Sequence, residues 1–361
     1  MIPLSLRGLA EAKAPYVVRL RTAACGEPGP DDARSVGQDD EGVAFSGSNG
    51  LLAIDGASAA MLDGDVVLVD PRRQRVERLL RAGSQHNTLV VTERCDQLCV
   101  MCSQPPKKTH VDRFALLEKA CLLAAPDLLI GISGGEPTLF KEELLGMVER
   151  VISARPDLSF HILSNGQHFT EQDIPRLAAP VYRRVSWGIP IYAATAGLHD
   201  AIVAKDGAFV ALQNGLAVLI MAGARVELRT VLVKDNLNAL PELARFVAAR
   251  LQFVEAWSLM QLEHVGFAKG RWANLFADHR EAFAPLAEAI DYATLHGVRA
   301  QLFNFPRCTV PAAYRRLARA SISDWKRKFP DRCAPCREQV ECGGFFAWHP
   351  DDHANQMVQP L

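Results

Sequence analysis

From Asn87 onward the chain alternates apolar strand-type runs with helix-type patterns, and this alternation constrains its fold more than any other feature. Strands read at 87–93, 127–133, 158–164, 183–190, 225–233 and 253–260, and helices fit near 112–124, 140–154, 170–178, 207–222 and 237–250. Repeated strand–helix units predict a parallel sheet covered by helices, with working residues where strands end and loops begin. A further helix near 277–295 and a strand at 297–303 follow.

Residues 1–84 read differently, as a small β-rich domain. Short β-type runs at 16–20, 42–46, 51–54 and 65–69 are separated by Gly, Asp and Pro, and Asp65 to Leu79 reads as a hairpin around Asp70-Pro71-Arg72-Arg73-Gln74. The Pro/Gly/Asp-rich segment Gly26 to Gly42 is expected to be a mobile loop, with Cys25 before it an isolated free thiol. The expected domains are 1–84, 85–300 and 301–361.

Composition matters mainly for what it excludes. The 361 residues give room for about two full cores, and 49% apolar with 22% charged residues is ordinary for a soluble protein. A net charge of -1 argues against a nucleic-acid partner held by a broad basic field. The local clusters Arg72-Arg73-Gln74-Arg75 and Lys326-Arg327-Lys328 read as solvated faces. No apolar run reaches the length that spans a bilayer and no signal-peptide order is seen, so the expected location is the cytoplasm.

Seven of the nine cysteines fall into two groups. Cys95, Cys99 and Cys102 follow the first strand, with three and then two residues between them. Three thiolates on one loop can hold three corners of an iron-sulfur cluster and leave the fourth without a protein ligand; a zinc site borrowing a distant ligand has the same spacing. The second strand runs into Gly134-Gly135-Glu136-Pro137-Thr138. The later group, Cys308, Cys333, Cys336 and Cys342, suits either closed zinc or a second cluster. Cys121 recurs with Phe114 and Leu117 at helical spacing and reads as core.

The pair of a strand leading into C-x3-C-x2-C and a strand leading into G-G-E-P-T resembles the radical S-adenosylmethionine (radical SAM) superfamily. That resemblance implies a partial (β/α)6 barrel with a C-terminal cysteine-rich extension. It implies a 4Fe-4S cluster on Cys95, Cys99 and Cys102 whose open iron binds SAM. Gly134 and Gly135 would let the backbone approach the methionine moiety and Glu136 would accept from its ammonium. Ser164, Asn165 and Ser186 match places where the family presents polar groups to SAM, and Arg229 is placed to meet the carboxylate. Met101 stands where many members carry an aromatic residue near the adenine. The C-x2-C-x5-C-Gly spacing resembles part of the family's auxiliary-cluster extension, implying one second 4Fe-4S cluster.

Thr92-Glu93-Arg94-Cys95, Met101-Cys102-Ser103-Gln104-Pro105-Pro106-Lys107, Leu262-Glu263 and Gly266-Phe267-Ala268 look like the radical SAM maturases of the His-Xaa-Ser peptide-modification system. This implies a ribosomally made precursor peptide as substrate, modified by cross-linking or dehydrogenation. The implied partners are a sister maturase, a small accessory protein and an external one-electron reductant. An extended peptide is expected to dock on the β-rich domain by strand addition or on the C-terminal cysteine region. Two other classes stay in view: a radical enzyme acting on a small molecule or nucleotide, and a zinc-binding interaction protein.

Overall fold

The computed structural model describes residues 3–22 and 29–361. The chain divides into two compact units, one of Met1–Thr92, Val111–Ser133 and Phe140–His161, the other of Glu93–His110, Gly134–Leu139 and Ile162–Leu361.

In the first unit seven strands close into a barrel: β1 Ser5–Ala10, β2 Tyr16–Arg21, β3 Asp32–Gln38, β4 Gly42–Gly47, β5 Gly50–Asp55, β6 Val66–Asp70 and β7 Arg75–Leu80, in the order β1-β5-β4-β3-β2-β6-β7. Alternate residues fill its core, among them Leu20, Phe45, Leu52, Ile54, Val67 and Val76. The hairpin forms as read, β6 antiparallel to β7, with the Asp70 carboxylate accepting from Arg72 and Arg73 N–H at the turn.

Two expectations fail here. Within the segment read as a mobile loop, Asp32–Gln38 is a strand. Its buried Asp32 carboxylate accepts from Arg19 Nε at 2.7 Å and from Gly29 N at 2.8 Å, so the acidic, glycine-bearing text is pinned. Cys25 lies outside the described residues. A closed barrel also presents no edge, so the strand addition expected on residues 1–84 has no edge to use. The helix Phe114–Leu122 belongs to this unit and buries Cys121 with Phe114 and Leu117, as its spacing predicted.

A second sheet has seven strands in chain order: β8 Asn87–Thr92, β9 Leu129–Gly134, β10 Ser159–Leu163, β11 Val185–Pro190, β12 Arg225–Val231, β13 Ala256–Met260 and β14 Ala300–Phe303. β11 to β14 pair in parallel. The class is therefore mixed α/β with a parallel-strand sheet.

In β12 the text R-V-E-L-R-T-V buries Val226, Leu228 and Thr230 and leaves Glu227, Arg229 and Val231 half-exposed. Register carries the same division across neighbours: Arg229 lies beside Ser258, and Ser258 beside Gln301. One face of β11–β14 thus packs apolar; the other carries Ser186, Glu227, Arg229 and Gln301 half-exposed, with Ser258 fully buried among them. No single helix among the described residues is long and apolar enough to cross a membrane; Ala196–Val203 and Ala208–Met221 pass such a test only jointly and are bent by 99°.

Candidate active site

Every residue singled out from the sequence as a ligand or SAM contact lies in the second unit. The cysteine loop is held by its backbone. Glu136 N donates to the Arg94 carbonyl at 2.7 Å, and Leu98 N and Val100 N donate to the carbonyls of Val203 and Ile202. Those two are among the last carbonyls of helix Ala196–Val203, which a helix leaves without internal partners.

Two glycines allow the close approaches. A Cβ on Gly135 would lie 2.0 Å from the Arg94 oxygen, and one on Gly266, at φ +59°, would lie 2.3 Å from the Cys102 oxygen. Phe267 N donates to that same Cys102 carbonyl at 2.9 Å.

The three thiols are half-buried and feel one another. Burial pushes Cys95 up to about 11, with the charges of Glu136, Asp96 and Cys102 adding to it. Burial pushes Cys99 up to about 12, helped by Cys102 and Cys95, and raises Cys102 as well. Three such thiols stay protonated near neutral pH until a cationic centre takes their protons' place.

Glu136, Ser164 and Asn165 come together as one buried network. The Glu136 Oε1 accepts from Thr138 N at 2.8 Å, Thr138 Oγ1 at 2.5 Å and Ser164 Oγ at 2.8 Å; Oε2 accepts from Asn165 N at 2.5 Å. Burial pushes its pKa up while these bonds pull it down. The carboxylate is an internal organiser of the strand ends, since most of its acceptor capacity is used by its own chain.

Arg229 lies towards the C-terminal end of β12, its Nη1 3.2 Å from both Glu227 oxygens and its Nη2 3.3 Å from Met260 Sδ. Ser258 donates to the same Glu227. Ser186 is not gathered with the others: it is the second residue of β11, while Ser164 N donates to Gly188 further along that strand. Met101 is buried in an apolar cluster with Tyr192, Leu262 and Ala268.

Cys308, Cys333, Cys336 and Cys342 line one cavity, with Arg307 and Phe329 in its wall. Arg307 N and Gly344 N each donate to Cys342 Sγ at 3.4 Å. Burial pushes Cys333 up to about 11, with the other three thiols adding to it. Neither this group nor the cysteine loop brings three donors to the single point that one metal ion occupies, among the described residues.

The chain is similar to an AdoMet-dependent heme synthase. That relative, from Nitratidesulfovibrio vulgaris, is 28% identical over 203 residues, and the match spans about half of each protein, 54% of this chain and 53% of the relative. Among solved structures, Streptococcus suis SuiB bound to S-adenosylmethionine aligns with a TM-score of 0.48 at 15% identity, over 60% of this chain and 49% of that one. A radical SAM methyltransferase from Sphaerobacter thermophilus aligns with a TM-score of 0.44 at 16% identity, over 74% and 75%. No protein-family model matches the chain.

Sequence reasoning missed two features of this site. Tyr192, just past β11, is buried beside the cysteines and Arg229; burial raises its hydroxyl well above the ordinary range, and Cys99 and Cys102 add to this. Asp96 is bound by residues 69 and 109 positions away. Its only local signal is a charge inside an otherwise uncharged loop. The Lys326-Arg327-Lys328 run is also not the solvated face expected: Lys326 is half-buried over the Phe346 ring at 5.2 Å, and Lys328 binds Asp351 at 2.6 Å.

Proposed function

We propose that this protein is a radical SAM enzyme that modifies side chains of a ribosomally made precursor peptide of the His-Xaa-Ser type, by cross-linking or dehydrogenation. The observation that carries the radical reading is the gathering of the Cys95, Cys99 and Cys102 loop, Gly134–Glu136 and Ser164–Asn165 at strand ends of one unit. The donor set fits an iron-sulfur cluster: three thiols on one loop, half-buried, with Cys99 feeling the charges of both Cys95 and Cys102. The same donor chemistry, with two backbone N–H groups on Cys342, supports a second 4Fe-4S cluster on Cys308, Cys333, Cys336 and Cys342.

Cys95, Cys99 and Cys102 would hold a cluster that, with SAM, would supply one-electron reductive cleavage and hydrogen-atom abstraction from substrate. The chain's own residues do the rest. Gly135 brings the second strand end against the cysteine loop, and the Glu136 network fixes the strand ends that would hold SAM. Arg229, anchored on Glu227, offers a cation to its carboxylate. Tyr192, Met101 and their apolar cluster exclude water from one side. In this reading the β8–β13 units form the partial barrel, 1–84 and 301–361 are the flanking domains, and the enzyme works in the cytoplasm, where thiols stay reduced.

A second reading, a radical enzyme acting on a small molecule, is favoured by the similarity to the heme synthase. Metal analysis after oxygen-free purification tests the common part: about eight irons per chain are expected, and zinc alone would end the radical reading. Co-expression with a His-Xaa-Ser precursor then separates the two. A loss of about 2 Da from the peptide, the two hydrogens removed in such an oxidation, supports the first; an unmodified precursor alongside SAM cleavage supports the second.

A further inference from the structure

The cysteine loop carries one acid between its first two thiols, and that acid is fully engaged. Asp96 Oδ1 accepts from Asn165 Nδ2 at 2.8 Å, and Oδ2 accepts from Lys205 Nζ at 2.5 Å and lies 3.2 Å from His168 Nε2. Lys205 Nζ donates also to Gln167 Oε1 at 2.9 Å. Lys205 reaches this point because Ala204, at φ +53°, ends helix Ala196–Val203 in the left-handed region and turns the chain back.

The segment 202–205 therefore grips the loop three times: Ile202 and Val203 through their carbonyls, Lys205 through its ammonium. Asn165 joins the same acid to the Glu136 network, through a backbone N–H bonded to Glu136. A single side chain thus ties the cysteine loop to the end of β10 and to the turn after the helix. Its charge is felt at the thiols on either side, Cys95 and Cys99.

We propose, resting on the reading of Cys95, Cys99 and Cys102 as cluster ligands, that Asp96 is the positioning residue of their loop and that the Asp96–Lys205 pair sets the cluster's reduction potential. Potential follows the net charge around a cluster. Removing the acid leaves Lys205 uncompensated and favours the reduced cluster. Removing the cation takes one positive charge from beside Asp96, leaving it His168 and Asn165, and disfavours the reduced cluster. The two halves of the pair therefore act in opposite senses, which loosened packing alone does not produce.

The test is an EPR-monitored redox titration of full-length wild type, Asp96→Asn, Lys205→Met, the double variant and Lys205→Arg. Asp96→Asn is expected to shift the one-electron equilibrium about tenfold towards reduction, about 59 mV upward, and Lys205→Met a similar amount downward. The double variant and Lys205→Arg are expected near wild type. Shifts in the same direction, or none with the cluster intact, overturn the proposal.

Where Lys205→Met takes up no cluster, amide hydrogen exchange on the unloaded chain decides. Leu98 and Val100 are expected to exchange about tenfold faster in Lys205→Met and Asp96→Ala than in wild type, and to be restored in Lys205→Arg; unchanged exchange overturns the clasp. A wild type that binds no iron-sulfur cluster refutes the ligand reading itself, while the exchange data still report on the clasp.

Discussion

Glu136 shows how much of one residue's bonding capacity its own chain can claim. The G-G-E text points to a group facing a ligand, yet its side chain is 1% exposed and takes four hydrogen bonds from Thr138, Ser164 and Asn165. Glu136→Ala would strand those donors in a buried site, where each unsatisfied group costs about 1–3 kcal/mol. The expected loss is about 2–4 kcal/mol in urea unfolding, with Glu136→Gln losing less because Oε1 and its three donors remain. A loss below about 0.5 kcal/mol would show that the network adds nothing to stability. The motif itself was legible, because glycines needed for close approach and spaced cysteines survive as local text. Asp96, Lys205, His168 and Tyr192 were not, since only the folded chain brings them together.

The secondary structure was most readable where periodicity was strong. β12 announces its two faces in seven residues, whereas β3 hides because Asp and Gly suggest a loop and its support, the ladders to β2 and β4 and the Arg19–Asp32 pair, comes from elsewhere in the chain. The helix Asp351–Met357 is short and polar and was missed entirely; tertiary packing holds it. His353 on that helix and His349 just before it share one hydrogen bond, Nε2 to Nδ1 at 2.8 Å, among the rings of Trp272, Phe276 and Phe345. Burial pushes His349 down to about 3, with His353, His264 and Lys328 adding and Asp351 opposing; burial also lowers His353, with Asp278 opposing and Arg280 and His264 adding, and lowers His264. A histidine kept neutral by folding leaves stability untouched above its unfolded pKa of 6.5 and removes it below, as the unfolded chain alone takes up protons. Between pH 6.5 and about 3, His349 is therefore expected to lower stability by about 1.4 kcal/mol per pH unit. Unfolding followed by tryptophan fluorescence checks this; His349→Phe should flatten the slope, and an unchanged slope would remove His349 as its source.

The two cysteine groups, more than two hundred positions apart in sequence, pack against one apolar cluster. Met101, Tyr192, Leu262, Cys333 and Phe345 belong to it, and Cys99 lies against it. The chain order of strands and helices foretold the sheet, but nothing local foretold this convergence, because it depends on the path of residues 301–361 back to the cysteine loop within their unit. That path has little structure to support it: short 3-10 turns, a ribbon pairing Arg327–Lys328 with Phe345–Phe346, and the seven-residue helix Asp351–Met357. So small a ribbon is not stable by itself, and on the proposed reading a group held by the four thiols would contribute its binding free energy to folding. Stripping metal from the full-length chain is therefore expected to lower its Tm, and the quadruple variant with Cys308, Cys333, Cys336 and Cys342 changed to Ser should start low and respond less. Because the cluster is shared, that variant should also speed amide exchange at Met101 and Tyr192, far along the chain from the substitutions. Unchanged protection at Met101 together with a lowered Tm would mean that the two cysteine groups are energetically separate, despite lining the same apolar layer.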